Sequence, residues 1–507
     1  MRSFSLHRSA AAACLGALCL LSACSHDTLD RVPPGAYTFD NFWETPQQLE
    51  QAITPGYSSL RGLYSGAIWQ LGEYRSDNTT FTQNPTDNGA ASLWDDDIFV
   101  SGANVSGASG VWNGSYTAIA RMNLVLANID EVTFGASDEP LRERLRAEAR
   151  FIRGFHYYLL VQHFGDVPLA LEPVLTEDAA LELDRDPVER VFAEAIIPDL
   201  TFAAETLPEL WVGSDEGRAT SGAARMALAK AHFARRDFAA ALPQLQAIID
   251  SEVYRLLPDF RSVFAPDNSN NDEIIFAGQY DAGAGQGATF FFSWLPLSSG
   301  SDVSMGTVVA GVRAGINRPT RSLWETYSED DPRRSATIGV YESSGDTLFY
   351  PSKYIFPPVN GPSDVDVVIF RYADVLLMYA EALVETEGGA NVPDEAFNAL
   401  NAVRARAGQP LAFPFNSDPE LDIRTAEEFA AFLADERRRE LAIESHRWYD
   451  LVRYGTVVEV MQAHGMQLAT YQPYLADFPS AFQVIPELFP IPIQQVIQYG
   501  YTQNPGY

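Results

Sequence analysis

Glu436, Arg437, Arg438, Arg439, Glu440, Glu444 and Arg447 crowd one stretch of this chain, Asp435–Gly455, which reads DERRRELAIESHRWYDLVRYG. Carboxylates and guanidinium groups this dense can do acid/base work, or they can pair into a structural network. Apolar residues decide between the two. Phe429, Phe432, Leu433, Leu441, Ile443, Trp448 and Val452 recur at steps of three and four, so the spacing predicts one long helix from about Ala426 onward. They wrap more than half of its circumference, which predicts an enclosed helix whose charges need partners. Asp435 stands i,i+4 from Arg439, while Arg437 and Glu440, and Glu444 and Arg447, stand i,i+3. Such local pairs are worth roughly 0.2–0.5 kcal/mol each when exposed, and the remaining charges require partners elsewhere in the fold. A charge network that pins this helix against others is the expectation.

Other chemistry is sparse. The chain has no HExxH, no GxSxG and no Walker loop. Gly283, Gly285 and Ala288 satisfy a loose dinucleotide fingerprint, but the aromatic run after them does not open an amphipathic helix. Asp95, Asp96 and Asp97 offer clustered oxygen donors of the kind calcium takes, yet three consecutive acids point in different directions and solvation is the simpler reading. His156, His163, His232, His446 and His464 read as residues at the edges of packed helices. No catalytic residue, metal site or cofactor is expected.

The elements that must position these groups are mostly helical. Apolar residues from Phe42 to Leu60 have helical spacing, with Pro46 near the start. Trp112–Ile129, Leu141–Phe164 and Asp186–Leu207 read as further helices, the second stopped by Gly165 and Pro168. Ala223–Arg235 and Phe238–Ser251 form a helix pair across an Arg236–Asp237 turn, with Ala227, Ala231, Ala239 and Ala240 small enough for close packing. Arg371–Glu387 and Pro393–Ala407 repeat that form, which is that of a tetratricopeptide unit. Between and before these units lie stretches without helical period. Leu71–Gly110 is rich in Asn, Asp, Gly and Ser but carries Tyr74, Phe81, Trp94 and Phe99. Tyr254–Val368 holds a short strand at Glu273–Phe276, the cluster Phe290–Trp294 and repeated prolines.

The whole chain, 507 residues with 46 % hydrophobic composition, can bury a large core. A net charge of −32 excludes nucleic acid as a partner, because phosphate recognition needs clustered cations. Only Lys230 and Lys353 are lysine; every other basic residue is arginine. Arg2, His7 and Arg8 precede the apolar run Ala10–Leu21, a secretory leader too short to span a membrane. Leu21, Ser22, Ala23 and Cys24 end it like a lipobox, with cleavage before Cys24 and lipid on that cysteine. Cys14 and Cys19 leave with the leader, so no disulfide forms within the mature chain.

Several motifs together carry a resemblance. The Asp435 stretch fits ExRRELxxExxRxxDLxRxG through Glu436, Arg438, Arg439, Glu440, Leu441, Glu444, Arg447, Asp450, Leu451, Arg453 and Gly455. Arg153, Tyr157 and Tyr158 precede Phe164–Leu169, FGDVPL; Pro490–Pro492 reads PIP; and Gln503–Tyr507 reads QNPGY. With the lipobox, the chain resembles the SusD/RagB-like nutrient-uptake lipoproteins from Cys24 to Tyr507. The resemblance implies a mainly α fold, with a tetratricopeptide-like helical platform and an irregular, loop-rich, ligand-facing half. It implies residues 1–23 as signal peptide, 24–38 as lipid-anchored tether and 39–507 as one globular unit. Within that unit, repeats fall at about 141–251 and 371–455, and ligand-facing insertions at about 64–116 and 254–368. It further implies an outward-facing outer-membrane lipoprotein that acts as a lid on a SusC-like TonB-dependent transporter and binds oligosaccharide or peptide without catalysis. A helical-repeat scaffold for protein partners and an extracellular glycan hydrolase are the alternatives, although nothing selects two of the 67 acidic residues as a catalytic pair.

Ligand capture of this kind needs aromatic faces and hydrogen-bonding groups rather than a nucleophile. The candidates, from loop location and side-chain chemistry alone, are Trp69, Tyr74, Arg75, Asp77, Asn78 and Trp94 in the first insertion, and Tyr280, Phe291 and Trp294 in the second.

Overall fold

The structure is a computed structural model that describes residues 42–81, 91–135, 137–306, 314–343, 345–389 and 391–507. The leader, Cys24 and the tether lie outside the described residues.

Helices form where the apolar spacing places them. Helix α1 (Pro46–Tyr64) starts at a capping box, in which Thr45 accepts from Gln48 N and Gln48 Oε1 accepts from Thr45 N. Short helices α2 (Ala67–Gly72) and α3 (Ala91–Asp97) precede α4 (Ala108–Asn128) and α5 (Glu139–Phe164), and Gly165 at φ 70 ends α5. A short turn and a π-helical segment, Phe192–Ile196, lead into α6 (Ile197–Thr206). Then come α7 (Ser221–Ala234) and α8 (Phe238–Asp250), capped by Thr220 and Asp237. The carboxy-terminal set is α9 (Tyr372–Thr386), α10 (Asp394–Arg406), α11 (Ala426–Leu441), α12 (Arg447–Tyr454) and α13 (Val457–Ala469). Among the described residues, no helix is long and apolar enough to cross a membrane.

The pairs α5/α6, α7/α8 and α9/α10 stack in that order, and α11 packs on the last. This is the expected helical platform, continuous in space although residues 251–371 separate α8 from α9 in sequence. Ala227 and Ala231 are fully buried where α7 meets its neighbours. Ala239 is exposed, and Ala241 takes the packing position on α8 instead.

Neither insertion is irregular throughout. The first contains α2 and α3. The second contains strand β1 (Ile274–Gly278), the hairpin β2 (Ile338–Ser343) and β3 (Asp346–Pro351), and β4 (Val367–Arg371). Strands β1 and β4 pair antiparallel, with Ile274 opposite Arg371 and Gly278 opposite Val367, and so close the ends of the excursion.

The helix expected from Ala426 onward is broken. Residues Ala442–His446 leave helical geometry, with Ile443 at φ 63 and Ser445 at φ 61. The reason is Glu73, whose carboxylate accepts from Ile443 N at 3.0 Å and Ser445 N at 2.8 Å. Those amides are thereby drawn from the carbonyls one turn back. The local ion pairs expected along this stretch are not the ones that form. Arg439 pairs with Glu436, Arg437 with Asp374 and Asp450, and Arg447 with Asp77.

Glu436, Glu440 and Glu444 instead anchor a buried network. Arg333 reaches Glu436 and Glu440 at 2.6 and 2.9 Å; Arg371 reaches Glu273, Glu440 and Glu444; Lys353 reaches Glu444 at 2.7 Å. Burial raises the carboxyl of Glu440, but Arg406, Arg371 and Arg333 overrule it and hold the group well below its usual range. The expected structural network is present, and its partners come from the second insertion and from α10.

Candidate ligand-binding groove

The nine candidate residues do not share an open face. Trp69, Tyr74, Arg75, Asp77, Asn78, Trp94, Phe291 and Trp294, expected from loop location to be available to ligand, are all buried. Trp69 packs edge-on against Trp294 at 4.7 Å and Tyr354 at 5.7 Å, and Trp294 Nε1 donates to the Tyr74 hydroxyl at 3.3 Å. Trp94 meets Phe478 at 4.5 Å. Phe291 stands edge-on to Phe292 at 5.0 Å. These rings are core of the loop-rich half.

The polar candidates join that half to the charged helices. Asp77 accepts from Arg447 Nε at 2.8 Å and lies 2.9 Å from Arg438. Asn78 donates to Glu73 at 3.2 Å and accepts from Arg438 at 2.9 Å. Arg75 lies over the rings of Phe99, Trp448 and Phe489 at 4.5, 5.2 and 5.0 Å, a cation boxed by aromatic faces.

Tyr280 alone of the nine is half-exposed. It leaves the end of β1, where Gly278 lets Arg61 of α1 approach; a Cβ there would stand 3.0 Å from Arg61 Cα. Arg61 donates to Gln279 O at 3.1 Å and to Gln286 Oε1 at 3.2 Å, and its guanidinium lies 5.0 Å from the Tyr280 ring centroid. Asp281 and Gln286 close a tight turn through reciprocal backbone hydrogen bonds of 3.1 and 2.7 Å, with Gly285 at φ 74. The glycines Gly283 and Gly285 thus serve a hairpin turn and not a dinucleotide loop. Gln279 exchanges amide hydrogen bonds of 2.9 Å with Asn270. From the segment that leads into β4, Asp366 accepts from Tyr280 N at 2.8 Å and Asp364 accepts from Ala282 N at 2.6 Å.

The result is an open groove of about 590 Å³, lined by Arg61, Gln279, Tyr280, Asp281, Gln286 and Asp364 among others. Its chemistry is one aromatic ring amid planar amides and carboxylates. No cysteine or histidine lines it, and its one serine, Ser269, lies against the neighbouring Asp366 carboxyl. Burial pushes the neighbouring Asp366 carboxyl up to about 6, and its Oδ2 has no hydrogen-bond partner among the described residues. Arg61, Gln279, Asp281, Gln286 and Asp364 are not among the residues the sequence singled out. The available signal was Gln279–Asp281 directly after a strand and before a glycine-rich turn.

The remaining acid candidates sit elsewhere. Asp96 accepts from Ser106 N, whereas Asp97 accepts from Thr80 and Phe81 N. Both are buried, and burial raises them to about 6 and about 8. Among the described residues, no group of three or more His, Cys, Asp and Glu converges as a metal site would require. His156 and His163 are buried and bonded to Ser115 and Tyr449, as packed-helix residues.

Comparison with known proteins bears on the whole chain. A model described as "SusD family" matches residues 326–507, and one described as "Starch-binding associating with outer membrane" matches residues 30–233. SusD-like protein P25 of Formosa agariphila is 28% identical over 479 residues, covering 86% of this chain and 88% of that protein. A SusD-like protein of Bacteroides ovatus is 27% identical over 491 residues, covering 86% and 80%. Among solved structures, a laminarin-binding SusD-like protein superposes with a TM-score of 0.74 at 24% identity, covering 92% of this chain and all of that one. Surface glycan-binding protein A of Bacteroides fluxus gives 0.69 at 24%, with the same coverage. The matched regions take in α1 to α7 at one end and α9 to the last residue at the other, and they include the charged stretch, the helical platform and the QNPGY terminus: the chain belongs to the SusD-like family.

Proposed function

We propose that this chain is a cell-surface lipoprotein, anchored through Cys24 in the outer membrane, that captures oligosaccharide and delivers it to a SusC-like TonB-dependent transporter. In this reading the Arg61–Tyr280 groove is a contact face for the sugar. The observation that carries it is the half-exposed Tyr280 ring, set among amides and carboxylates just beyond the end of β1. Sugar C–H faces pack on a phenol ring, while Gln279, Gln286, Asp281 and Asp364 exchange hydrogen bonds with hydroxyl groups. Family membership and the glycan-binding names of the structural neighbours support the cargo class. The platform α5–α10 is the side that packs on the transporter, and the function needs no catalytic residue or cofactor.

The experiment titrates the chain with a panel of neutral oligosaccharides and peptides and assays each mixture for cleavage products. Saturable oligosaccharide binding without turnover is expected, weakened by Tyr280→Ala. Binding of peptides alone identifies a peptide-capturing member of the family. Turnover identifies a hydrolase, and failure to bind either class leaves the protein-interaction scaffold.

A further inference from the structure

The walls of the Arg61–Tyr280 groove are unbalanced in charge. Asp281 and Asp364 both line it and both are exposed. Each is fixed through one carboxylate oxygen: Asp281 Oδ1 accepts from Ala284 N at 2.9 Å, and Asp364 Oδ1 accepts from Ala282 N at 2.6 Å. Among the described residues, neither carboxylate has an ion-pair partner, and neither second oxygen accepts a hydrogen bond. Behind the ring, Asp366 accepts from Tyr280 N and adds a third carboxyl, whose Oδ2 is also without a partner.

Positive charge is scarcer. Arg61 is the one cation in the described lining, and its Nη1 and Nη2 already donate to Gln279 O and Gln286 Oε1 while its guanidinium lies over Tyr280. Arg218 stands on the loop that abuts Gln279, where a Cβ on Gly217 would come within 2.7 Å of that side chain, but it is spent on Glu148 and Asp215, each at 2.9 Å.

A uronate or sulfate group laid beside Tyr280 would therefore meet two free carboxylates and one engaged guanidinium. Like charges brought together are penalised more heavily than an exposed opposite pair is rewarded. An ammonium group meets the favourable sign. Neutral hydroxyl groups suit either kind of wall, since they donate to carboxylates and accept from the amides of Gln279 and Gln286.

On the reading that this groove holds sugar, we infer that it sorts glycans by charge: it takes neutral and amine-bearing oligosaccharides and rejects those that carry uronate or sulfate groups. Asp281 and Asp364 set that selection.

The test uses laminarihexaose, cellohexaose and maltohexaose, each unmodified, oxidised at C6 to the uronate, and as the 6-amino-6-deoxy derivative. Calorimetry on the full chain is run at pH 7 in about 0.15 M salt, where charges more than about 8 Å away are largely screened. For a backbone that binds saturably, the uronate form should be at least about fivefold weaker than the neutral form, and the amine form about threefold tighter. Asp281→Asn combined with Asp364→Asn keeps an acceptor for Ala284 N and Ala282 N and removes both charges. The readout is the ratio of neutral to uronate affinity, which should fall to within about twofold in that variant. A native chain that binds neutral and uronate forms within about twofold of each other would overturn the charge selection and leave the sugar groove standing. A preference that survives in the double variant would also overturn it, because the discrimination would then belong to the overall charge of −32 and not to these two residues. Absence of saturable binding by every form of all three sugars, or binding that Tyr280→Ala leaves intact, would overturn the groove reading and the selection with it.

Discussion

Arg447 grips Asp77 with two hydrogen bonds, Nε to Oδ1 at 2.8 Å and Nη2 to Oδ2 at 3.1 Å, joining the first insertion to α12. Arg438 of α11 holds the same carboxylate. Burial alone raises Asp77, but the two guanidinium groups hold it well below the ordinary range. Asp77→Ala leaves two cations without their counter-ion inside the protein, and we expect a loss of about 3–5 kcal/mol in urea unfolding. A loss below ~1 kcal/mol would mean that the clasp is incidental. The sign of the pH effect follows from the lowered carboxyl. Its stabilisation is present above its unfolded pKa near 4 and disappears as the pH falls further.

Asp97 works in the opposite direction. Burial raises its carboxyl to about 8, so the folded chain keeps it neutral where the unfolded chain has ionised it. Between about pH 4 and 8 its contribution to stability therefore falls as pH rises, by up to about 1.4 kcal/mol per unit. Asp97→Asn keeps the acceptor for Thr80 and Phe81 N and removes the titration. The expected outcome is a flatter melting-temperature profile over that range and a more stable protein at pH 8. An unchanged slope would show that Asp97 is ionised in the fold.

Trp294→Ala and Tyr280→Ala should separate folding from binding. Trp294 is 2% exposed, and its truncation empties a cluster with Trp69, Tyr74 and Tyr354, at a cost of about 3–5 kcal/mol of stability. Tyr280→Ala should cost ~1 kcal/mol of stability or less, but about 1 kcal/mol or more of oligosaccharide affinity. Equal stability losses in the two variants, with ligand affinity intact in Tyr280→Ala, would move the contact face elsewhere.

Cys24→Ala tests the anchor. Fractionation of cells that carry it should find the protein released from the membrane fraction, where the native chain is retained. Persistence in membranes after a salt wash, in cells that lack the transporter, would count against a lipid anchor.

The helical platform was legible in the sequence because its apolar residues repeat at the helical period, as in Leu145, Ala149 and Ile152 of α5, all fully buried. The need for partners along Glu436–Glu444 was legible as well, since a wrapped helix cannot bury charge alone. The identity of those partners was not. Arg333 and Lys353 come from a block without period and Arg371 from the last position of β4, and only tertiary contact brings them to the glutamates. Loop aromatics were misread for a related reason. Trp69 or Trp294 in a stretch without helical period reads the same whether it faces a ligand or a core, and the neighbours that decide it are far off in sequence. The break at Ala442–His446 depends on Glu73, which no window around the helix contains.

The closed ends of the second insertion bear on how such chains diversify. Because α8 packs on α9 directly and β1 pairs with β4, residues 251–371 are an excursion from a helical stack that is continuous in space without them. Loop-closure entropy grows only slowly with length, about 0.6 kcal/mol for each doubling, so changing the length of the exposed turns of this excursion costs the helical stack little. The groove at Tyr280 lies between that excursion and Arg61 of α1. New specificities can thus be grafted there while the repeats, and whatever docks on them, stay as they are; the buried glutamates that reach into the excursion mark the few positions a graft has to keep.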